Sequence, residues 1–201
     1  MNRNGFDGTQ AVTRRLSLRR PEPKDVEAVL AVHSDPLACA YNPFDAVFDL
    51  DGATERLAHW DEHWQQFGFG YRVIREHGSE QVLGFCGVKL TMLADRHVLN
   101  LFYRLAPEEW GRGVATEAAS WTAWWAAEYL PVYPLVARVR SDNTASQRVA
   151  LKAGLMRAPH LDDPGPDGLD WIFAARWPGV EPGVPSPGGV RVRSPRRVAG
   201  G

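Results

Sequence analysis

Along the 201-residue chain the spacing of apolar positions changes repeatedly, and each change marks an element. Residues 14–19 alternate, with Leu16 and Leu18 set against polar neighbours, as a strand with one buried face does. Pro21 and Pro23 then lead into a helix over 25–34. Beyond an aromatic-rich connection at 36–50, Leu57, Trp60, Trp64 and Phe67 recur at spacings of three and four, which makes 54–67 an amphipathic helix. The β-rich runs 71–75 and 82–90 flank the polar turn His77-Gly78-Ser79-Glu80 and predict an antiparallel hairpin, followed by a third central strand over 97–105.

Regular structure breaks at 106–113 and resumes over 114–130, where Val114, Ala118, Trp121, Trp125 and Tyr129 mark one helical face. Pro131 and Pro134 end that helix; 135–140 reads as a strand, 143–153 as a helix stopped at Gly154, and 169–175 as a last strand. No internal repeat is visible. This order of helices, hairpin and late β-α-β run predicts an α/β (α+β) domain with a single sheet flanked by helices. It spans 13–178, between a flexible N-terminus at 1–12 and a disordered tail at 179–201 rich in Pro, Gly and Arg.

Composition narrows the classes. Hydrophobic residues at 44 % and charged residues at 23 % describe a globular chain. No apolar run approaches the ~20 residues of a membrane helix, and residues 1–10 lack the layout of a secretion signal, so no membrane association and a cytoplasmic location are expected. Cys39 and Cys86 are isolated, without metal spacing, and read as buried apolar residues; no metal site is expected. The net charge is −1, yet from Pro182 onward the tail holds Arg191, Arg193, Arg196 and Arg197 and no acid; no specific nucleic-acid partner is expected of it.

Trp110-Gly111-Arg112-Gly113-Val114-Ala115-Thr116 carries the chemistry. Two glycines opening a helix just after a strand let backbone N–H groups approach an anion at the positive helix end. The Gly-Lys-Ser/Thr of a Walker A loop is absent, and a Rossmann fingerprint would need Gly or Ala where Thr116 stands.

The same turn resembles the Q/R-x-x-G-x-G/A signature of the GNAT N-acetyltransferases, matching at Gly113 and Ala115 with Trp110 in place of Gln or Arg. With Ala115-Thr116-Glu117-Ala118 following, it looks like the ribosomal-protein N-terminal acetyltransferase subgroup. Asn143-Thr144-Ala145-Ser146 is similar to the family's N-x-x-S, and Leu151-Lys152-Ala153-Gly154-Leu155 to its E-K-x-G-F, with Leu151 for Glu and Leu155 for Phe. The resemblance covers about residues 13–177 and implies a mixed, mostly antiparallel sheet.

What it implies for function is acetyl transfer from the cosubstrate acetyl-coenzyme A to a primary amine, a protein N-terminus or a small molecule, by direct attack. The backbone of Trp110, Gly111, Arg112, Gly113, Val114, Ala115 and Thr116 would hold the pyrophosphate. The main chain of Phe102, Tyr103, Arg104 and Leu105 would pair with the pantetheine arm, with Asn143 and Ser146 alongside it. Ser146 is the candidate general acid, and Tyr41, Asn42, Phe44 and Trp64 would wall the acceptor pocket. Asn100 stands where the subgroup often has a Glu base; His63, His97, Asp45 and Glu62 are substitutes by chemistry alone, and water is another. The alternative is a non-catalytic acyl-coenzyme A binding or regulatory protein. A homodimer is left open.

Overall fold

The computed structural model describes residues 10–166 and 168–179. The expected tail from 180 onward, and residues 1–9 of the expected flexible N-terminus, lie outside the described residues. In chain order the elements are β1 (Gln10–Val12), β2 (Leu16–Arg19), α1 (Val26–Ser34), α2 (Leu50–Phe67), β3 (Tyr71–Glu76), β4 (Gly84–Leu93), β5 (Arg96–Leu105), α3 (Val114–Tyr129), β6 (Leu135–Arg140), α4 (Thr144–Lys152), β7 (Met156–Arg157), β8 (Asp163–Gly165) and β9 (Gly168–Ala175).

They form one sheet of order β1-β2-β3-β4-β5-β6-β9-β7, with β8 also on β9. Every pairing is antiparallel except β5 with β6. The sheet is mixed and mostly antiparallel, as expected. One boundary is corrected: Gln10–Val12 pairs with β2, Ala11 opposite Leu18 and buried, so the folded domain begins before residue 13. Helix α2 also starts earlier than its apolar period, because Asp49 caps it by accepting the Gly52 N–H at 2.8 Å.

Alternation along the central strands sorts the core onto two faces. Val73, Phe85 and Phe102 meet Val29 and Val32 of α1 and Leu57 and Trp60 of α2. Leu99, Leu101 and Val88 meet Ala118, Trp121 and Trp125 of α3 and Ala150 of α4 on the other. Trp64 is buried; its Nε1 donates to the Tyr71 carbonyl at 2.8 Å, and its ring lies 5.0 Å from the guanidinium of the fully buried Arg72. Trp121 and Trp125 flank the same guanidinium at 5.2 and 4.9 Å. Burial pulls the Arg72 pKa down to about 10, which leaves it charged at neutral pH against three indole faces.

Candidate functional site

Strands β5 and β6 run side by side only at Leu99 with Leu135 and Asn100 with Val136. Beyond Asn100 they part. The far side of β5 stays laddered to β4 as far as Leu105 opposite Gly84, so Leu101 to Leu105 expose one backbone edge to the gap. A cavity of about 750 Å³ fills the fork, bordered by this edge, the turn before α3, the start of α4 and the 37–45 connection.

The turn is built from both sides. After β5 a short 3-10 turn, Pro107–Glu109, redirects the chain, and the Trp110 Nε1 donates back to the Leu105 carbonyl at 3.3 Å. Gly111 and Gly113 then take φ +74° and +78°, a left-handed backbone that suits glycine. A Cβ on Gly111 would touch nothing within 4 Å, and one on Gly113 only the Arg15 Nη2 at 3.5 Å, so it is backbone conformation and the space in front that call for glycine. Backbone N–H groups from Gly111 to Thr116 find no acceptor among the described residues. Free donors at a helix N-terminus make a seat for phosphate. The Arg112 side chain folds away to Glu109 and Glu76, so residue 112 faces the seat through its backbone.

The turn is strapped from behind. Glu117, in the first turn of α3, accepts from Thr13 Oγ1 at 2.6 Å and from Arg15 N and Nε at 2.8 and 2.7 Å, while Arg15 Nη1 donates to the Arg112 carbonyl at 3.0 Å. Burial works against the Glu117 carboxylate, but the Thr13 and Arg15 hydrogen bonds outweigh it and hold its pKa below the ordinary value.

Across the fork, Asn143 caps α4: its Oδ1 accepts the Ser146 N–H at 2.9 Å. The Ser146 hydroxyl lies 2.8 Å from the Tyr103 hydroxyl, which also donates to the Ser146 carbonyl at 2.9 Å. Burial, opposed by the Ser146 contact, raises the Tyr103 pKa well above its ordinary value and keeps the phenol protonated. Asn143, Ser146 and Tyr103 all line the cavity. The Tyr103 side chain was invisible in the sequence reading, which used only its backbone.

Residues 15–156 match the model of the acetyltransferase (GNAT) domain. The chain belongs to the GNAT acetyltransferase family. It is 26 % identical over 146 residues to the uncharacterized N-acetyltransferase YoaA of Bacillus subtilis (strain 168), covering 72 % of this chain and 81 % of that one. An acetyltransferase from Agrobacterium tumefaciens str. C58 superimposes with a TM-score of 0.72 at 25 % identity, covering 88 % of this chain and 99 % of that one. The fold is shared with RimL, a ribosomal L7/L12 alpha-N-protein acetyltransferase solved in complex with coenzyme A, at TM-score 0.67 and 15 % identity, over 81 % and 94 % of the chains.

In this GNAT acetyltransferase the other sequence candidates separate. Tyr41, Asn42 and Phe44 line the cavity; Trp64 does not, because it is spent in the core against Arg72 and Tyr71. Among the candidate bases, His63 has both ring nitrogens engaged, Nδ1 with the Phe69 carbonyl and Nε2 with the Leu90 N–H. Glu62 and His97 are exposed and away from the cavity. Asp45 lines it, but its carboxylate is held by Arg56 and by Arg104, the latter at 3.2 Å. Alternation along β5 was the available signal: Asn100, Phe102 and Arg104 share the face opposite Leu101, Tyr103 and Leu105.

Proposed function

We propose that this acetyltransferase moves an acetyl group from acetyl-coenzyme A to a primary amine by direct attack in the fork between β5 and β6. The observation that carries the reading is the continuity of two unsatisfied backbone surfaces, the N–H groups of Gly111 to Thr116 and the open edge of β5, along one cavity. Phosphates need the first and an extended amide-bearing arm the second. Acetyl-coenzyme A has both, and once bound it supplies an activated acyl group.

The chain's residues then have three tasks. Phe102 to Leu105 hold the arm like an added strand, and Asn143, capping α4, fixes the position of Ser146 beside it. Ser146 gives its hydroxyl proton to the sulfur as the carbon–sulfur bond breaks, the Tyr103 hydroxyl at 2.8 Å turns its one proton from the Ser146 carbonyl to the oxygen left behind, and the proton that the amine sheds to water restores the Ser146 hydroxyl. The amine loses its proton to water, since Asn100 is no base and the cavity's Asp45 is committed to two arginines. Thiol release from acetyl-coenzyme A with a panel of amines and N-terminal peptides tests this. Tight acetyl-coenzyme A binding without release on any amine would favour the non-catalytic acyl-coenzyme A binding alternative.

A further inference from the structure

The acceptor side of the cavity has an unusual balance of charge. Three carboxylates line the cavity as a whole among the described residues, Asp45, Glu109 and Asp170, and each already faces an arginine: Arg56 and Arg104, Arg112, and Arg140. Two guanidinium groups therefore share one carboxylate at Asp45, and the Arg104 side chain is only 5 % exposed. Lys89, outside the cavity lining, adds positive charge behind this wall. It sits across the ladder from Asn100, its Nζ lies 5.0 Å from the Tyr71 ring centroid, and among the described residues no carboxylate is within ion-pair distance of it. The nearby His33 does not add charge, because burial, with Arg104 and Arg56 alongside, holds its pKa down at about 2.

A poorly solvated cation excess is costly unless a ligand brings the missing anion. A second ammonium group, conversely, finds no uncommitted carboxylate here. Resting on the acetyl-transfer reading above, we propose that the acceptor is a primary amine that itself carries a carboxylate, received at the cavity wall by Arg104 beside Asp45, with the positive charges of Arg56 and Lys89 behind that wall, and that polyamines are excluded. The same positive surroundings disfavour the ammonium form of the incoming amine, so it reaches the acyl carbon as the free base without a carboxylate at position 100.

Matched pairs test the idea on the full chain: β-alanine against β-alaninamide for small molecules, Ala-Asp against Ala-Asn amidated peptides for protein termini, and spermidine. Turnover is read by thiol release, and binding to the coenzyme A-loaded chain by saturation-transfer NMR. The acidic member of at least one pair is expected to win by about tenfold or more in kcat/KM, with spermidine at background; which pair shows it identifies the source of the amine. Arg104→Gln should bring that ratio to near one. Because Arg104 is buried, Asp45→Asn is the second variant: removing the anion leaves the excess positive and should keep or widen the ratio. Preference for spermidine, or equal use of both members of each pair, overturns the proposal while acetyl transfer stands. Acid-selective binding without turnover on any amine keeps the seat and instead removes the transfer reading.

Discussion

At the α3 end of the fork the groups offered to a ligand belong to the backbone: N–H donors from Gly111 to Thr116 and one edge of β5. At the α1 and α2 end they are side chains, Arg104, Asp45, Tyr41 and Phe44, brought together from β5 and the 37–45 connection, with Arg56 of α2 paired to Asp45 outside the cavity lining. A backbone seat constrains conformation more than identity, and it can be specified by two glycines in a fixed place. A side-chain seat depends on which residues stand there, and it is free to change with the acceptor while the fold and the donor end stay the same.

The hardest break of this contrast is Gly113→Val. A branched Cβ at φ +78° disfavours the turn and fills the space where phosphate would approach, so acetyl-coenzyme A affinity should fall at least ~100-fold while the domain stays folded. Calorimetry with circular dichroism reads both, and unchanged affinity in a folded variant would move the phosphate seat elsewhere. Next in size is Ser146→Ala. Loss of a transition-state proton donor lowers kcat by ~10²-fold with KM for acetyl-coenzyme A unchanged. A raised KM would make Ser146 a ligand, and a stability loss alone would leave it only a hydrogen-bonding partner for Tyr103.

The acceptor side should also show in the pH dependence of folding. The His33 pKa is depressed to about 2 by burial and then by Arg104 and Arg56, against ~6.5 in the unfolded chain. Below pH ~6.5 the unfolded state takes up a proton that the native state refuses, so stability is full above that value and is lost at about 1.4 kcal/mol per pH unit beneath it. Between pH 6.5 and 5 the wild type should lose about 2 kcal/mol more than His33→Leu in urea titrations; identical curves would place a solvated imidazole there. The smallest effect expected is Trp64→Phe, which removes the hydrogen bond to the Tyr71 carbonyl and weakens one face of the Arg72 cage. It should cost about 1 kcal/mol of stability and leave acceptor KM unmoved. A tenfold rise in acceptor KM would return Trp64 to the pocket.

How much of this was legible in sequence follows from the same contrast. The long strands and helices announced themselves by period, whereas β1, β7 and β8, of three, two and three residues, are too short to show one. The turn that opens α3 was legible because glycines at a strand-to-helix junction are a local signal. Trp64 was misassigned to the acceptor wall because an aromatic on the apolar stripe of a helix looks the same whether it meets a cavity or a core. The Asp45 cluster left no trace, its members being 11 and 59 positions apart along the chain. The Tyr103 to Ser146 contact spans 43 positions and is equally nonlocal.

The strap formed by Thr13, Arg15 and Glu117 has a consequence for the speed of encounter. Because Glu117 and the Arg112 carbonyl are already fixed to the β1–β2 connection, the N–H donors from Gly111 to Thr116 need little ordering when a ligand arrives. Association should then be governed by diffusion and charge, with a rate constant at or above the ~10⁵–10⁷ M⁻¹ s⁻¹ of ordinary docking, and it should slow as added salt screens the approach. Glu117→Ala would shift the delay from encounter to loop closure, visible in stopped flow as an observed rate that levels off with ligand concentration.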